Sequence, residues 1–396
     1  MPKNIVILLD GTSNQISASR TNILRLYGTL EKSERQLVYY DPGVGTFGAD
    51  NAWFGFWRKA MEFWGLLTGW GLDQNVKEAY RFLVENYDRG ATGDRRTTTG
   101  EDQPVPERDR IYIFGFSRGA YSARVLAGFV HAIGLIEPRN LNLIDYAFRA
   151  YKRIGEARPD GFGEVRLYER ILRPDRPPIR LLGLFDTVAS IIEHGTIGLR
   201  LRSHAFTKKN RSVESVRHAI AIHERRTMFQ PQLWIQGEPY WGNPFAHSAS
   251  KPQDLREVWF TGVHTDVGGG TPEAESALAK IPLHWMIEQT AGTGLHYVTR
   301  TVNELVLGAN PDKPYVAPDP TAKMHNSMNW AWALVEFIPQ RRSKTSRRPS
   351  LLGWTIPLFE GRKIPDGASI HRSVIERRDS SMDDVPQLPA VYVVED

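Results

Sequence analysis

Arg110-Ile-Tyr-Ile-Phe-Gly-Phe-Ser-Arg-Gly-Ala120 reads as a strand, a sharp turn and the start of a helix. Residues 111–114 are β-branched or aromatic, and the stretch from Ala120 to Leu135 is small and apolar almost without interruption. That pattern predicts a buried strand running into a buried helix. At the junction stands Gly115-Phe-Ser117-Arg-Gly119, a G-x-S-x-G in the setting where the pattern carries a nucleophile. The two glycines remove Cβ atoms that a tight strand-to-helix turn could not hold. The Ser117 hydroxyl would then project over the carboxyl end of a sheet, at a helix N-terminus that favours developing negative charge. The plain alternative is an ordinary βα turn, since five residues alone recur by chance.

Working outward, four further apolar runs have the same style. Asn4 to Leu9 ends in Asp10-Gly-Thr12, Gln36 to Tyr40 closes on Asp41-Pro-Gly-Val-Gly45, Ile179 to Phe185 ends in Asp186-Thr187, and Glu257 to Val263 ends in His264-Thr-Asp266. Between them lie helical spacings: Ile23, Leu26, Tyr27 and Leu30; Val76, Tyr80, Leu83 and Tyr87 with Asp73 as a cap; Asn142 to Ile154; Ile281 to Thr290; and Met328 to Phe337. Val213, Val216, Ala219, Ile220 and His223 also share helical spacing, while Arg158 to Pro178 reads as an irregular, proline-containing connection. Apolar strands alternating with helices predict an α/β protein: a mainly parallel sheet with helices on both faces and sites at the carboxyl ends of its strands.

Three such ends carry Ser117, Asp186 and His264, in the chain order of an α/β-hydrolase. A serine alcohol needs His264 to take its proton, and His264 needs a carboxylate to fix its tautomer and stabilise the imidazolium. Asp266 competes with Asp186 for the acid, and His325 and His371 compete for the base. Asp41 and Asp73 lie too early for the usual order. The oxyanion hole would use the N–H of Arg118 and the turn at Gly11 and Thr12. Asp10-Gly-Thr12 after a strand also fits a haloacid-dehalogenase phosphatase, but the nucleophilic aspartate of that pattern would fall at Leu8, which discounts it. Phe229 to Asp254 is aromatic and proline-rich without helical period; Trp234, Tyr240 and Trp241 are its candidates for a substrate pocket.

The 396 residues could form one α/β domain with insertions. The division expected is a catalytic domain over 1–300, with insertions at about 48–72 and 190–256, and a C-terminal extension over 301–396. Within the first insertion, Ala52 to Gly71 is rich in Trp and Phe and reads as a packing helix, a lid or a segment touching lipid. A net charge of +5 is a mild bias toward anionic surfaces and too diffuse for a nucleic-acid reader. The run Arg341 to Arg348 is basic and reads as a solvated loop or an anionic-membrane contact. There is no cysteine, which excludes disulfides and a thiol nucleophile. No signal peptide or membrane span is expected, which points to cytoplasmic synthesis with export, if any, independent of a signal.

Asp10-Gly-Thr12 with Asn14, Thr21-Asn22, Tyr40-Asp-Pro-Gly-Val-Gly45, Gly71-Leu-Asp-Gln-Asn-Val76, Gly115-Phe-Ser-Arg-Gly-Ala120, Phe185-Asp-Thr-Val188, Glu224-Arg-Arg226 and Gly262-Val-His-Thr-Asp-Val-Gly-Gly269 together resemble a bacterial family of α/β-hydrolase-like proteins that includes phospholipase effectors of type VI secretion systems. The resemblance spans about residues 4 to 290. It implies a Ser-Asp-His triad at Ser117, Asp186 and His264, and hydrolysis of an ester or lipid substrate without a metal or other cofactor. Peripheral membrane contact is the partner class expected from the charge and the aromatic segment, with no nucleic acid. The secretion or immunity partner is not implied by any motif. The large membrane-anchoring part of the effector lipases has no obvious counterpart, which leaves Ala52 to Gly71 and the C-terminal third for that role. The leading expectation is a serine esterase of lipase or phospholipase type. The alternatives are a small-acyl esterase or thioesterase, and a non-catalytic interaction protein that keeps the fold.

Overall fold

The computed structural model describes residues 2–11, 19–43, 71–90, 107–155, 161–188, 192–194, 199–201, 204–242, 250–341, 346–380, 382 and 386–396. Eight strands form the central sheet: β1 (Asn4–Leu9), β2 (Gln36–Asp41), β3 (Arg110–Phe116), β4 (Ile179–Phe185), β5 (Val213–Ala221), β6 (Asp254–Phe260), β7 (Ala368–His371) and β8 (Tyr392–Glu395). Their order across the sheet is β2-β1-β3-β4-β5-β6-β7-β8, and every neighbouring pair is parallel. This is an α/β-hydrolase-like architecture.

The order reverses between β1 and β3. At such a switch point the connections leave toward opposite faces and open a crevice above the carboxyl ends. Ser117 follows β3, so the predicted elbow stands at that crevice.

The main helices are α1 (Asn22–Thr29), α2 (Leu72–Asn86), α3 (Arg118–Ile133), α4 (Ile144–Gly155), α5 (Gly161–Leu172), the single-turn α6 (His264–Gly268), α7 (Ala277–Ala291), α8 (Trp330–Val335) and α9 (Arg372–Asp379). β1 shows why both faces need cover. Ile5, Ile7 and Leu9 point into one core with α2, α3 and α4, while Val6 and Leu8 point into another with α1 and α7. A strand apolar on both sides of its pleat belongs inside a covered parallel sheet.

Three expectations change. Val213 to Ala221 is the strand β5, not a helix. Arg217 and His218 between its apolar residues are buried too, and its neighbour β6 pairs both: His218 lies 2.8 Å from Glu257, and Arg217 meets Asp254 at 2.6 Å. The irregular connection after residue 158 contains α5, and the prolines at 174, 177 and 178 come only after its end. Asp73 does not cap α2; Gly71 occupies that position with φ 102°, and Asp73 instead pairs with Lys152.

The stretch expected as an extension, residues 301–396, supplies β7 and β8 of the central sheet. The aromatic segment from Ala52 lies outside the described residues up to residue 70, as do Thr12, Asn14 and residues 342–345 of the basic run. Among the described residues no helix is long and apolar enough to cross a membrane.

Candidate active site

β3 is buried from Ile111 onward and delivers Ser117 to the base of α3 with φ 58° and ψ −121°. A non-glycine residue held there carries on the order of 1–3 kcal/mol of strain, which the surroundings must impose. They do so by contact. A Cβ on Gly115 would fall 2.4 Å from the Gly119 carbonyl oxygen, and one on Gly119 would fall 2.2 Å from that of Leu9. The elbow is therefore wedged against the end of β1, and only glycine fits at those two positions.

Asp186 follows β4 and is fully buried, with φ 39°. His264 opens α6 directly after β6. The imidazole spans the two neighbours: Nδ1 lies 2.5 Å from Asp186 Oδ2 and Nε2 lies 2.8 Å from Ser117 Oγ. With the Nδ1 proton facing the carboxylate, the Nε2 lone pair faces the serine hydroxyl. Phe116 packs 4.8 Å from the imidazole and Phe229 meets it edge-on at 5.0 Å. Trp332 of α8 backs Phe229 at 5.4 Å, and the Arg226 guanidinium lies 3.7 Å over the Phe229 ring.

Two carboxylates in this shell are held ionised. Burial alone would raise the Asp186 carboxyl, but the adjacent Arg362 and the bond to His264 outweigh it and hold it well below the usual carboxylate range. Arg362 donates from Nη1 to Oδ1 at 2.5 Å and from Nη2 to Oδ2 at 2.9 Å, and the Ala221 N–H donates to Oδ1 at 3.0 Å. Burial would likewise raise Glu224, yet its bonds to Arg226 bring it to about 2. Glu224 also accepts from the Ser327 hydroxyl at 3.0 Å and from the His264 main-chain N–H at 3.3 Å, so it anchors the start of α6.

The competing residues have other partners. Asp266 accepts from the Val263 N–H at 2.9 Å and lies 2.5 Å from His325 Nδ1; that contact leads in raising the His325 imidazole above its ordinary range. His371 sits at the start of α9, stacked on Phe260 at 4.6 Å. Asp41 binds Asn75 and the Gly43 N–H.

Of the expected oxyanion donors, Arg118 occupies the first position of α3. The Gly11 N–H donates to the Asp10 carboxylate at 2.7 Å, which also accepts from Thr21 at 2.5 Å and Tyr40 at 2.9 Å. Gly11 is thus occupied in this arrangement, and Thr12 lies outside the described residues.

The aromatic trio does not line the site. Trp234 is buried, with its N–H on Glu257 and its indole on Gln253. Tyr240 pairs with Lys251, and the Trp241 N–H donates to the Arg211 carbonyl just ahead of β5. β5 spans roughly 26 Å, and Tyr240 and Trp241 sit by its amino end while Ser117, Asp186 and His264 gather at the other. The same segment does reach the site, but through Phe229. Sequence reading also missed Arg362, Glu224 and Trp332 as neighbours of the triad. Glu224 alone had a signal, the Glu224-Arg-Arg226 motif just past an apolar run.

Comparison with known proteins places the chain in a family. Residues 3–289 match the family model described as "T6SS, Phospholipase effector Tle1-like, catalytic domain". Uncharacterized protein YEL023C of Saccharomyces cerevisiae is 32% identical over 252 residues, which are 60% of this chain and 33% of the yeast protein. The chain thus spans about a third of the curated relative it matches. Two solved structures are also similar. One is an uncharacterized protein from Pseudomonas aeruginosa, 20% identical, covering 76% of this chain and 47% of that one, with a TM-score of 0.44. The other is the Tle1 effector bound to the VgrG spike from the Type 6 secretion system, 19% identical, covering 70% and 52%, with a TM-score of 0.35. With its family model matched across most of its length, the chain belongs to the Tle1-like phospholipase effector family of the type VI secretion system.

Proposed function

We propose that this protein is a serine ester hydrolase of phospholipase type that works through an acyl-enzyme on Ser117. The observation that carries the reading is the hydrogen-bonded line from Ser117 Oγ through His264 to Asp186, set on a strained elbow at the sheet's switch point. As Oγ attacks the ester carbonyl carbon, its proton passes to His264 Nε2, and Asp186 stabilises the imidazolium that forms. The tetrahedral oxyanion collects at the N-terminus of α3, where the Arg118 N–H begins the helix. His264 then protonates the departing alcohol. Water, giving its proton to His264, attacks the acyl-serine; collapse of that second intermediate expels the Ser117 oxygen, which takes the proton back as the acid leaves.

Family membership supports a lipid substrate. So does the surface around α8. Trp330, Leu351 and Leu352 are 71%, 80% and 94% exposed, and Leu334, Phe337, Ile338 and Trp354 are exposed beside them. Exposed apolar area concentrated in one stretch marks an interaction surface. Between residues 328 and 361 the sequence carries Arg341, Arg342, Lys344, Arg347 and Arg348 against only Glu336 and Glu360, a balance suited to an anionic bilayer.

A fluorophosphonate probe tests the nucleophile. It should label the wild-type protein and leave Ser117→Ala unlabelled; equal labelling of both would sink the assignment.

A further inference from the structure

We propose that Arg362 is a positioning residue of this site, fixing both carboxylate oxygens of Asp186 so that the aspartate holds Nδ1 of His264 and leaves Nε2 facing Ser117. The inference rests on the acyl-enzyme reading above. It extends the machinery beyond residue 289, where the family match ends.

Both side chains of the Arg362–Asp186 pair are 0% exposed. All five guanidinium N–H donors are used. Nη1 donates to Asp186 Oδ1 at 2.5 Å and to the Ala221 carbonyl at 2.8 Å; Nη2 donates to Asp186 Oδ2 at 2.9 Å and to the Phe229 carbonyl at 2.5 Å; Nε donates to Phe229 at 3.2 Å. The planar fork therefore fixes both carboxylate oxygens and ties them to the end of β5 and to the residue that walls the imidazole. Lysine has the charge but not the fork.

The electrostatic consequence follows from the burial. A lone carboxylate without solvent would draw a proton onto the adjacent imidazole, and an imidazolium cannot deprotonate serine. With Arg362 in place, the Asp186 carboxylate is matched by one buried cation. The other ionisable groups around the pair have partners of their own: Glu224 with Arg226, Asp266 with His325, which also meets Glu275, and the buried His218, which lies against Glu257 and accepts from the Thr187 N–H. Arg118 follows Ser117 in the chain, and burial lowers its guanidinium to about 10. Removing Arg362 thus removes the cation that counterbalances Asp186.

The test uses the full chain and a soluble monomeric ester. Arg362→Gln should lower kcat by at least about tenfold with KM nearly unchanged, and should move the acid limb of the kcat/KM profile upward by about one pH unit, the size expected of one charge a few ångströms away. Arg362→Lys should leave the limb in place while still lowering kcat, because charge survives and the fork does not. Should Arg362→Gln fail to fold, the lysine variant decides: a wild-type kcat overturns the proposal. A folded Arg362→Gln with unshifted limb and unchanged kcat also overturns it, leaving Arg362 as a structural ion pair. A separate readout does not need turnover. In the Ser117→Ala background, the NMR titration of His264 should move upward on Arg362→Gln; an unmoved titration would overturn the proposal. Absence of wild-type activity and labelling would instead refute the hydrolase reading, which keeps the two failures apart.

Discussion

The backbone of Ser117 is tolerable only because its two glycines let the turn press against Leu9 and Ala120. Gly119→Ala would drive a Cβ into the Leu9 and Asp10 carbonyls, at 2.2 and 2.3 Å, where no flexible side chain can yield. The elbow must then shift by a fraction of an ångström or more, enough to break the 2.8 Å contact with His264. The expected result is a lower Tm and fluorophosphonate labelling slowed by about a hundredfold; labelling at the wild-type rate would show that the turn can relax. Ser117, Asp186 and His264 were legible in the sequence because each ends an apolar run, and parallel strands deliver such ends to one edge. Arg362 was not. It sits in a loop 176 residues from its partner and ends no strand, so nothing local distinguishes it from a surface arginine.

Among elements, β5 is the one whose spacing misleads: its apolar residues fall at i, i+3, i+6 and i+7, which suggests a helix but also arises when a strand is buried along its whole length. What made it a strand was the supply of partners for Arg217 and His218 on the neighbouring β6, which no local pattern displays. Element junctions also carry the acid sensitivity. His131, in the last turn of α3, is pushed down to about 4 by burial and by Arg176 and Arg211, and His371, at the start of α9, is pushed to about 4 chiefly by burial. Both are neutral when folded and bind protons near pH 6.5 when unfolded, so between those values the unfolded chain holds more protons. Stability therefore falls as pH drops from about 6.5 toward 4, by at most about 3 kcal/mol for each histidine. Tm measured across this window should decline and should flatten in His131→Gln; a flat wild-type curve would contradict the assignment.

At the scale of the whole molecule, one stretch faces two ways. Trp332 of α8 backs the wall of the site, while Trp330 and Leu334 of the same helix are exposed, as are Leu351, Leu352 and Trp354 in a turn further along the chain. In that turn Leu352 and Gly353 have φ 51° and 80°, and positions of this kind normally carry Asn, Asp or Gly. A leucine there accepts backbone strain and exposes itself to water, a combination that membrane insertion would offset. Leu351→Ser with Leu352→Ser should weaken binding of the Ser117→Ala protein to phosphatidylglycerol-containing vesicles by at least about tenfold. In the active protein, hydrolysis of a monomeric ester should stay unchanged. Unaltered vesicle binding would remove this surface from the lipid reading.

What the sequence determined by itself was the α/β class, the parallel sheet and the three strand ends bearing serine, acid and histidine, because burial periodicity and turn chemistry are local properties of the chain. The tertiary structure alone decided which groups surround them. It brought Arg362 onto Asp186, Glu224 onto the start of α6 and Phe229 onto the imidazole, and it sent Tyr240 and Trp241 to the opposite end of the sheet. The physical reason is that a buried charge must find its partner wherever the folded chain provides one, and that choice depends on distances across space that sequence separation does not encode.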